Sequence, residues 1–139
     1  MINSLTVDVQ HRIRYADTDQ MGVVYYGNYA VLYEIGRTEL IRSLGISYAE
    51  IEESGILMPV IELNSRYIRP LKYDELITIR TTVKKRPSAS IVFDHEILNS
   101  TQEICNRGWV KLGFVNKITG KPTRIPALIL DKITATTEL

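Results

Sequence analysis

The stretch NYAVLYEIGRTELIRSLG, residues 28–45, decides the fold. Tyr29, Leu32, Tyr33, Gly36, Leu40, Ile41 and Leu44 recur at helical spacing, which predicts one long amphipathic helix. Asn28 suits the N-cap and Gly45 the C-terminal stop. Gly36 in mid-helix costs about 1 kcal/mol against alanine, so a neighbour passing close over that point is expected. Ser47-Tyr48-Ala49-Glu50 reads as a capping box that opens a short second helix ending near Gly55.

On either side the period changes to two. Leu5, Val7, Val9, Ile13 and Tyr15 alternate with polar residues before the helix, with His11 on their side. After it come four more alternating runs, around Ile61–Tyr67, Ile77–Val83, Ala89–Ile97 and Ile104–Phe114. Alternation of this kind marks strands with one buried face. Breaks of turn composition fall at Pro70–Asp74, Arg86–Ser88, Asn99–Gln102 and Asn116–Gly120. The tail after Pro126 fits a short helix or a ragged strand.

The predicted order is strand, long helix, short helix, then four strands joined by short hairpins. Short hairpins imply antiparallel neighbours. Residues 1–139 therefore form a single α+β domain, an antiparallel sheet of about five strands wrapped around one long central helix. Val92, Leu98, Trp109 and Val115 fall on the sheet's other face, and an apolar outer face predicts a homodimer or homotetramer.

Composition narrows the class. With 139 residues the chain can bury one sizeable core. Its net charge of +1 makes no bulk electrostatic case for nucleic acid. A single cysteine, Cys105, excludes an internal disulfide and a cysteine-rich zinc site. The first residues lack the apolar core of a signal peptide, and no apolar run suffices to span a bilayer. The expectation is a cytoplasmic protein.

The segment leading into the long helix, DTDQMGVVYYGNY (17–29), carries the chemistry. Asp17, Asp19 and Gly22 match positions one, three and six of a calcium loop. Met21 and Asn28 then stand where ligands are needed, so no metal is expected. A plain solvated turn suits the aspartates and the glycine. It suits Met21, Val23, Val24, Tyr25 and Tyr26 poorly. A carboxylate beside the free N–H groups of a helix start, in an apolar cleft, is instead a layout that can polarise a carbonyl and attack it.

Arg14 to Tyr29 closely resembles the signature of the 4-hydroxybenzoyl-CoA thioesterase-like acyl-CoA thioesterases, which have the hotdog fold. The resemblance continues through Glu34 and Arg37-Thr38-Glu39, Tyr67-Ile68-Arg69-Pro70, Glu75-Leu76 and Gly120 to Pro126. It implies hydrolysis of an acyl-CoA, or acyl-carrier-protein, thioester to a free acid, with no cofactor beyond the CoA of the substrate. It places the catalytic carboxylate on Asp19, as nucleophile or general base, and the oxyanion-binding backbone N–H on Tyr26. Many relatives carry histidine where this chain has Tyr26. Asp17 reads as a structural carboxylate.

Gly22 and Val23 are expected beside the thioester. Tyr29, Met58 and Pro59 suit an acyl pocket or equally the core. Lys85, Arg86 and Ser88, with Arg66 as a weaker candidate, offer cations and a hydroxyl for the CoA phosphates. The family's corresponding turn lies near the CoA nucleotide at a subunit interface, and an ordinary basic hairpin tip is the other reading. His11 and His95 read as core histidines with hydrogen-bond partners. Two other functions stay open: a hotdog hydratase or dehydratase, and a non-catalytic acyl-CoA or acyl-carrier-protein binding module.

Overall fold

A computed structural model describes residues 3–139. The strands are β1 (Leu5–Arg12), β2 (Ile56–Leu57), β3 (Val60–Tyr67), β4 (Leu76–Val83), β5 (Ser90–Leu98), β6 (Ile104–Gly113) and β7 (Val115–Asn116). The helices are α1 (Tyr29–Ser43), α2 (Tyr48–Glu53) and α3 (Ala127–Thr136). Five strands form one antiparallel sheet in the order β1-β4-β5-β6-β3, and β2 pairs with β7 in a small second sheet. The tail is thus a helix, which buries Ile129 and Ile133.

Helix α1 lies across the sheet and contacts β1, β4 and β5. Every residue of the stripe read from the sequence, Tyr29, Leu32, Tyr33, Gly36, Leu40, Ile41 and Leu44, is buried. The facing residues Ile77, Ile79, Ile91, Phe93, Ile97, Val110 and Leu112 complete the core. Gly36 has the close neighbours it needs, since a β-carbon there would meet the Thr81 hydroxyl and lie 2.8 Å from Ile79 Cγ2. Gly45 and Gly55 close α1 and α2 with φ of +84° and +95°, a region that favours glycine. Ser47 Oγ accepts from Glu50 N at 3.2 Å, as the capping box requires.

Four sequence expectations are corrected. Strand β1 ends at Arg12, and Tyr15 opens a 3₁₀ turn (Tyr15–Asp17) with its ring 82% exposed. Asn28 does not cap α1: it is helical itself (φ −84°, ψ −7°), and its amide donates to the Asp17 carbonyl at 3.0 Å. A 3₁₀ turn over Tyr26–Asn28 starts the helix instead.

The third correction concerns topology. Strands β3 and β4 are not hairpin neighbours, because β3 pairs with β6 on the far edge. The link between them, residues 68–75, is a crossover. It is pinned by Ile68 N and Arg69 N to Cys105 O (2.9 and 3.0 Å) and by Val24 N to Leu71 O (2.8 Å).

The fourth concerns the outer face, which is polar. Leu98 is buried, while Val92 and Trp109 are half-buried among the pairs Asp8–Arg80, Asp94–Lys84 and Glu96–Arg107. Exposed apolar surface lies on edge strand β3, at Val60, Ile61, Leu63 and Tyr67. Among the described residues no helix is long and apolar enough to cross a membrane.

Candidate active site

The site grows from the end of β1. There the Asp17 carboxylate accepts from Arg14 N (2.8 Å), Arg14 Nε (3.3 Å) and Arg14 Nη2 (3.0 Å), and meets His11 Nε2 at 3.2 Å. Burial by itself pushes its pKa up. The hydrogen bonds and charge of Arg14, with the bond to His11, outweigh that and bring it down to about 2. The Asp17 carbonyl accepts from Tyr25 N and Asn28 Nδ2, both at 3.0 Å. Asp17 therefore ties the strand end to the helix start. Its side chain is engaged by Arg14 and His11.

Asp19 sits two residues on, at a tight turn. Asp19 N donates to Val23 O and Gly22 N to Asp19 O, each at 3.0 Å. Gly22 has φ +76°, which explains a glycine there. Asp19 Oδ1 accepts from Met21 N at 2.8 Å. Asp19 Oδ2 makes no hydrogen bond to protein among the described residues.

Asp19 lines a cleft of about 350 Å³. One wall is Met21, Val23 and Val24; the helix start supplies Tyr26 and Tyr29. The end of β3 supplies Tyr67, and the crossover supplies Ile68, Arg69 and Pro70. Tyr26 is the first residue of the 3₁₀ turn, so its N–H has no acceptor within the helix. That N–H carries the positive end of the helix dipole. Asp19, with one free carboxylate oxygen, and Tyr26, with an unpaired N–H, thus line one mostly apolar cavity. Such a site can stabilise charge developing on a carbonyl oxygen while the carboxylate attacks or activates water.

Asp19, Val23, Tyr26 and Tyr29 line the same cleft. Gly22 shapes the turn without lining the cleft. Met58 packs on the core, and Pro59 O accepts from Gly113 N at 2.9 Å, so both lie outside the cleft. Arg66 is in a groove of the outer sheet face beside Arg107 and Trp109. Lys85 lies in a neighbouring hollow with Lys111, Arg86 donates to Leu139 O at 3.3 Å, and Ser88 O accepts from Ile125 N at 2.7 Å. This basic turn follows the Val83 end of β4, whereas the Asp19 turn is bridged through Val23 to Lys72, before the Leu76 end, so the length of the strand, roughly 25 Å at about 3.3 Å per residue, lies between those two ends.

The histidines have partners outside the cleft. His11 meets Asp17, and His95 Nδ1 meets Thr81 Oγ1 at 2.9 Å with its ring stacked on Tyr33. Burial, helped by the Arg37 charge, lowers the His95 pKa to about 3. Sequence reasoning assigned no role to Tyr67, Ile68, Arg69 or Pro70. Their signal, a strand run ended by Arg69-Pro70, says nothing of the crossover that carries them to Asp19.

The architecture and the cleft define a hotdog-fold protein with a carboxylate and a helix start on one cleft. Residues 21–106 match the thioesterase superfamily. The chain is 37% identical over 123 residues to the putative acyl-CoA thioesterase YneP of Bacillus subtilis, covering 88% of this chain and 89% of that one. It is 29% identical over 119 residues to the acyl-CoA thioester hydrolase YbgC of Escherichia coli, covering 86% and 89%. Among solved structures it resembles a DHNA-CoA thioesterase from Staphylococcus aureus, with TM-score 0.87, 36% identity and coverage of 94% and 88%. The chain belongs to the thioesterase superfamily.

Proposed function

We propose that the chain hydrolyses acyl-CoA thioesters to a free acid and CoA, with Asp19 as the reacting carboxylate and Tyr26 N–H as the oxyanion donor. The observation that carries this is the shared cleft: Asp19 and Tyr26, the first residue of the helix start, line the same apolar space. The names of the relatives support the substrate class.

The thioester carbonyl oxygen accepts from Tyr26 N–H, which stabilises the oxyanion as the carbonyl carbon becomes tetrahedral. Asp19 either attacks that carbon, giving a mixed anhydride that water then opens, or takes the proton of an attacking water. In both routes the C–S bond breaks, the CoA thiolate leaves and is protonated, and water oxygen ends in the acid. Met21, Val23 and Val24 set apolar surface along the reacting bond.

The exposed β3 edge, with Val60, Ile61 and Leu63, suits pairing with a second copy. In such a dimer the basic turn of Lys85, Arg86 and Ser88 of one copy serves the CoA phosphates bound at the other. The separation of this turn from Asp19 in one chain supports that reading.

The test follows free thiol from a panel of acyl-CoAs with wild type, Asp19→Ala and Asp19→Asn. Equal rates in all three remove Asp19 from the mechanism. Saturable binding without thiol release in wild type supports a binding module instead. Double-bond hydration without thiol release supports a hydratase, for which the cleft offers no histidine.

A further inference from the structure

Tyr67 closes a connection between the far edge of the sheet and the start of α1. Its hydroxyl donates to the Tyr26 carbonyl at 3.3 Å. Its ring stands edge-on to Tyr29, with centroids 5.0 Å apart and planes at 80°. These two contacts flank the 3₁₀ turn Tyr26–Asn28. Tyr25 N and Asn28 Nδ2 also bond to the Asp17 carbonyl. The peptide that carries Tyr26 N–H is held through the Tyr25 carbonyl, which accepts from Asn28 N at 2.8 Å, and the next peptide is held through the Tyr26 carbonyl.

Tyr67 can serve as a fixed post because β3 is itself bolted to α1. Two residues before it, Ser65 Oγ meets the buried Tyr33 hydroxyl at 2.8 Å and accepts from Asn106 Nδ2 at 3.0 Å. Tyr33 also donates to Asn106 Oδ1. Tyr33 lies one helical turn beyond Tyr29. A post on an otherwise exposed edge strand is thereby set against a particular turn of the helix.

We propose that Tyr67 is a positioning residue for the oxyanion site: by holding the Tyr26 carbonyl, and Tyr29 behind it, it fixes the 3₁₀ turn so that the Tyr26 N–H one peptide earlier is directed into the cleft beside Asp19. This rests on the reading of that N–H as the oxyanion donor. Oxyanion donors act through preorganisation, so a loosened peptide weakens the transition state more than the bound substrate.

Tyr67→Phe tests it, since the ring stays and the hydroxyl goes. Expected are a kcat lower by about 3- to 10-fold, the loss of one neutral hydrogen bond, a KM within about twofold and a thermal midpoint within about 2 °C of wild type. Tyr67→Leu, which also removes the ring from Tyr29, should lower kcat further. Amide hydrogen exchange across Tyr26–Asn28 should quicken in both variants. An unchanged kcat in Tyr67→Phe overturns the proposal, and so does a raised KM at constant kcat, which marks a substrate contact only. If wild type releases no thiol from any acyl-CoA, the function fails. Exchange then still decides the brace, because unchanged exchange at Tyr26–Asn28 overturns it without reference to activity.

Discussion

Gly36 of α1 lies so close to Thr81 of β4 that a β-carbon on the glycine would overlap the threonine hydroxyl, and Ile79 Cγ2 would stand 2.8 Å away. His95, on the next strand, shares that contact and bonds to the same hydroxyl. The helix can sit this deep on the sheet only where its side chain is absent.

Gly36→Ala therefore sets two effects against each other. Alanine gains about 1 kcal/mol of helix propensity. Overpacking a core site with no flexible neighbour costs typically about 1–3 kcal/mol. Thr81 and Ile79 belong to a strand and cannot step back, so the second should win. Urea unfolding at neutral pH should show a net loss; a stabilised variant would refute the close approach.

The Asp17 clamp predicts a particular acid response. Its folded pKa, about 2, lies below the ordinary carboxylate value. A depressed carboxylate contributes stability above its unfolded pKa, near 3.9, and loses it as pH falls through the folded value. Asp17→Asn should cost about 1–3 kcal/mol at pH 7. The gap to wild type should narrow between about pH 4 and pH 2. A gap that stays constant over that range in urea titrations contradicts the clamp.

His95 acts earlier in the titration. Its pKa of about 3 is below the ordinary histidine value, because burial and Arg37 disfavour the charged ring. The neutral ring thus contributes stability above about pH 6.5 that drains away as pH falls toward 3. One proton taken up on unfolding gives a slope of about 1.4 kcal/mol per pH unit in that window. His95→Gln should be less stable at pH 7.5, yet its stability should fall less steeply between pH 6 and 4. Parallel curves for the two proteins would mean that His95 does not titrate there.

Asp19 separates chemistry from folding. Asp19→Asn keeps an acceptor for Met21 N–H but loses the charge, so its thermal midpoint should match wild type. Asp19→Ala loses that hydrogen bond, worth about 0.5–1.5 kcal/mol. Both should lower kcat by about 10²–10⁴-fold if the carboxylate reacts or acts as base. Retention of rate in Asp19→Asn would assign the carboxylate to the turn alone.

Much of this is legible without coordinates. The helical stripe from Tyr29 to Leu44, the period-two runs and the glycine stops are local patterns, and local patterns determine which side of an element is buried. The apolar run between Asp19 and Tyr26 reads as a covered approach, yet only Val24 of it is buried, and Met21, Tyr25 and Tyr26 stand exposed. Tyr15 shows the limit: its alternation with neighbours fits a strand that the Asp17 turn cuts short at Arg12. Asn28 shows another, since its amide found the Asp17 carbonyl instead of a cap.

What only the tertiary structure decided is the strand order. Periodicity is blind to which strand lies beside which, because every inward-facing run satisfies the same core. The crossover at residues 68–75 sends β3 to the far edge and lays Tyr67 to Pro70 along Asp19 and Tyr26. By itself the sequence determined one long helix on an antiparallel sheet, with a carboxylate before the helix start. The cleft that carboxylate faces exists because residues forty to fifty positions away in the chain close its other side, and hydrogen bonds to Cys105 and Val24 hold them there.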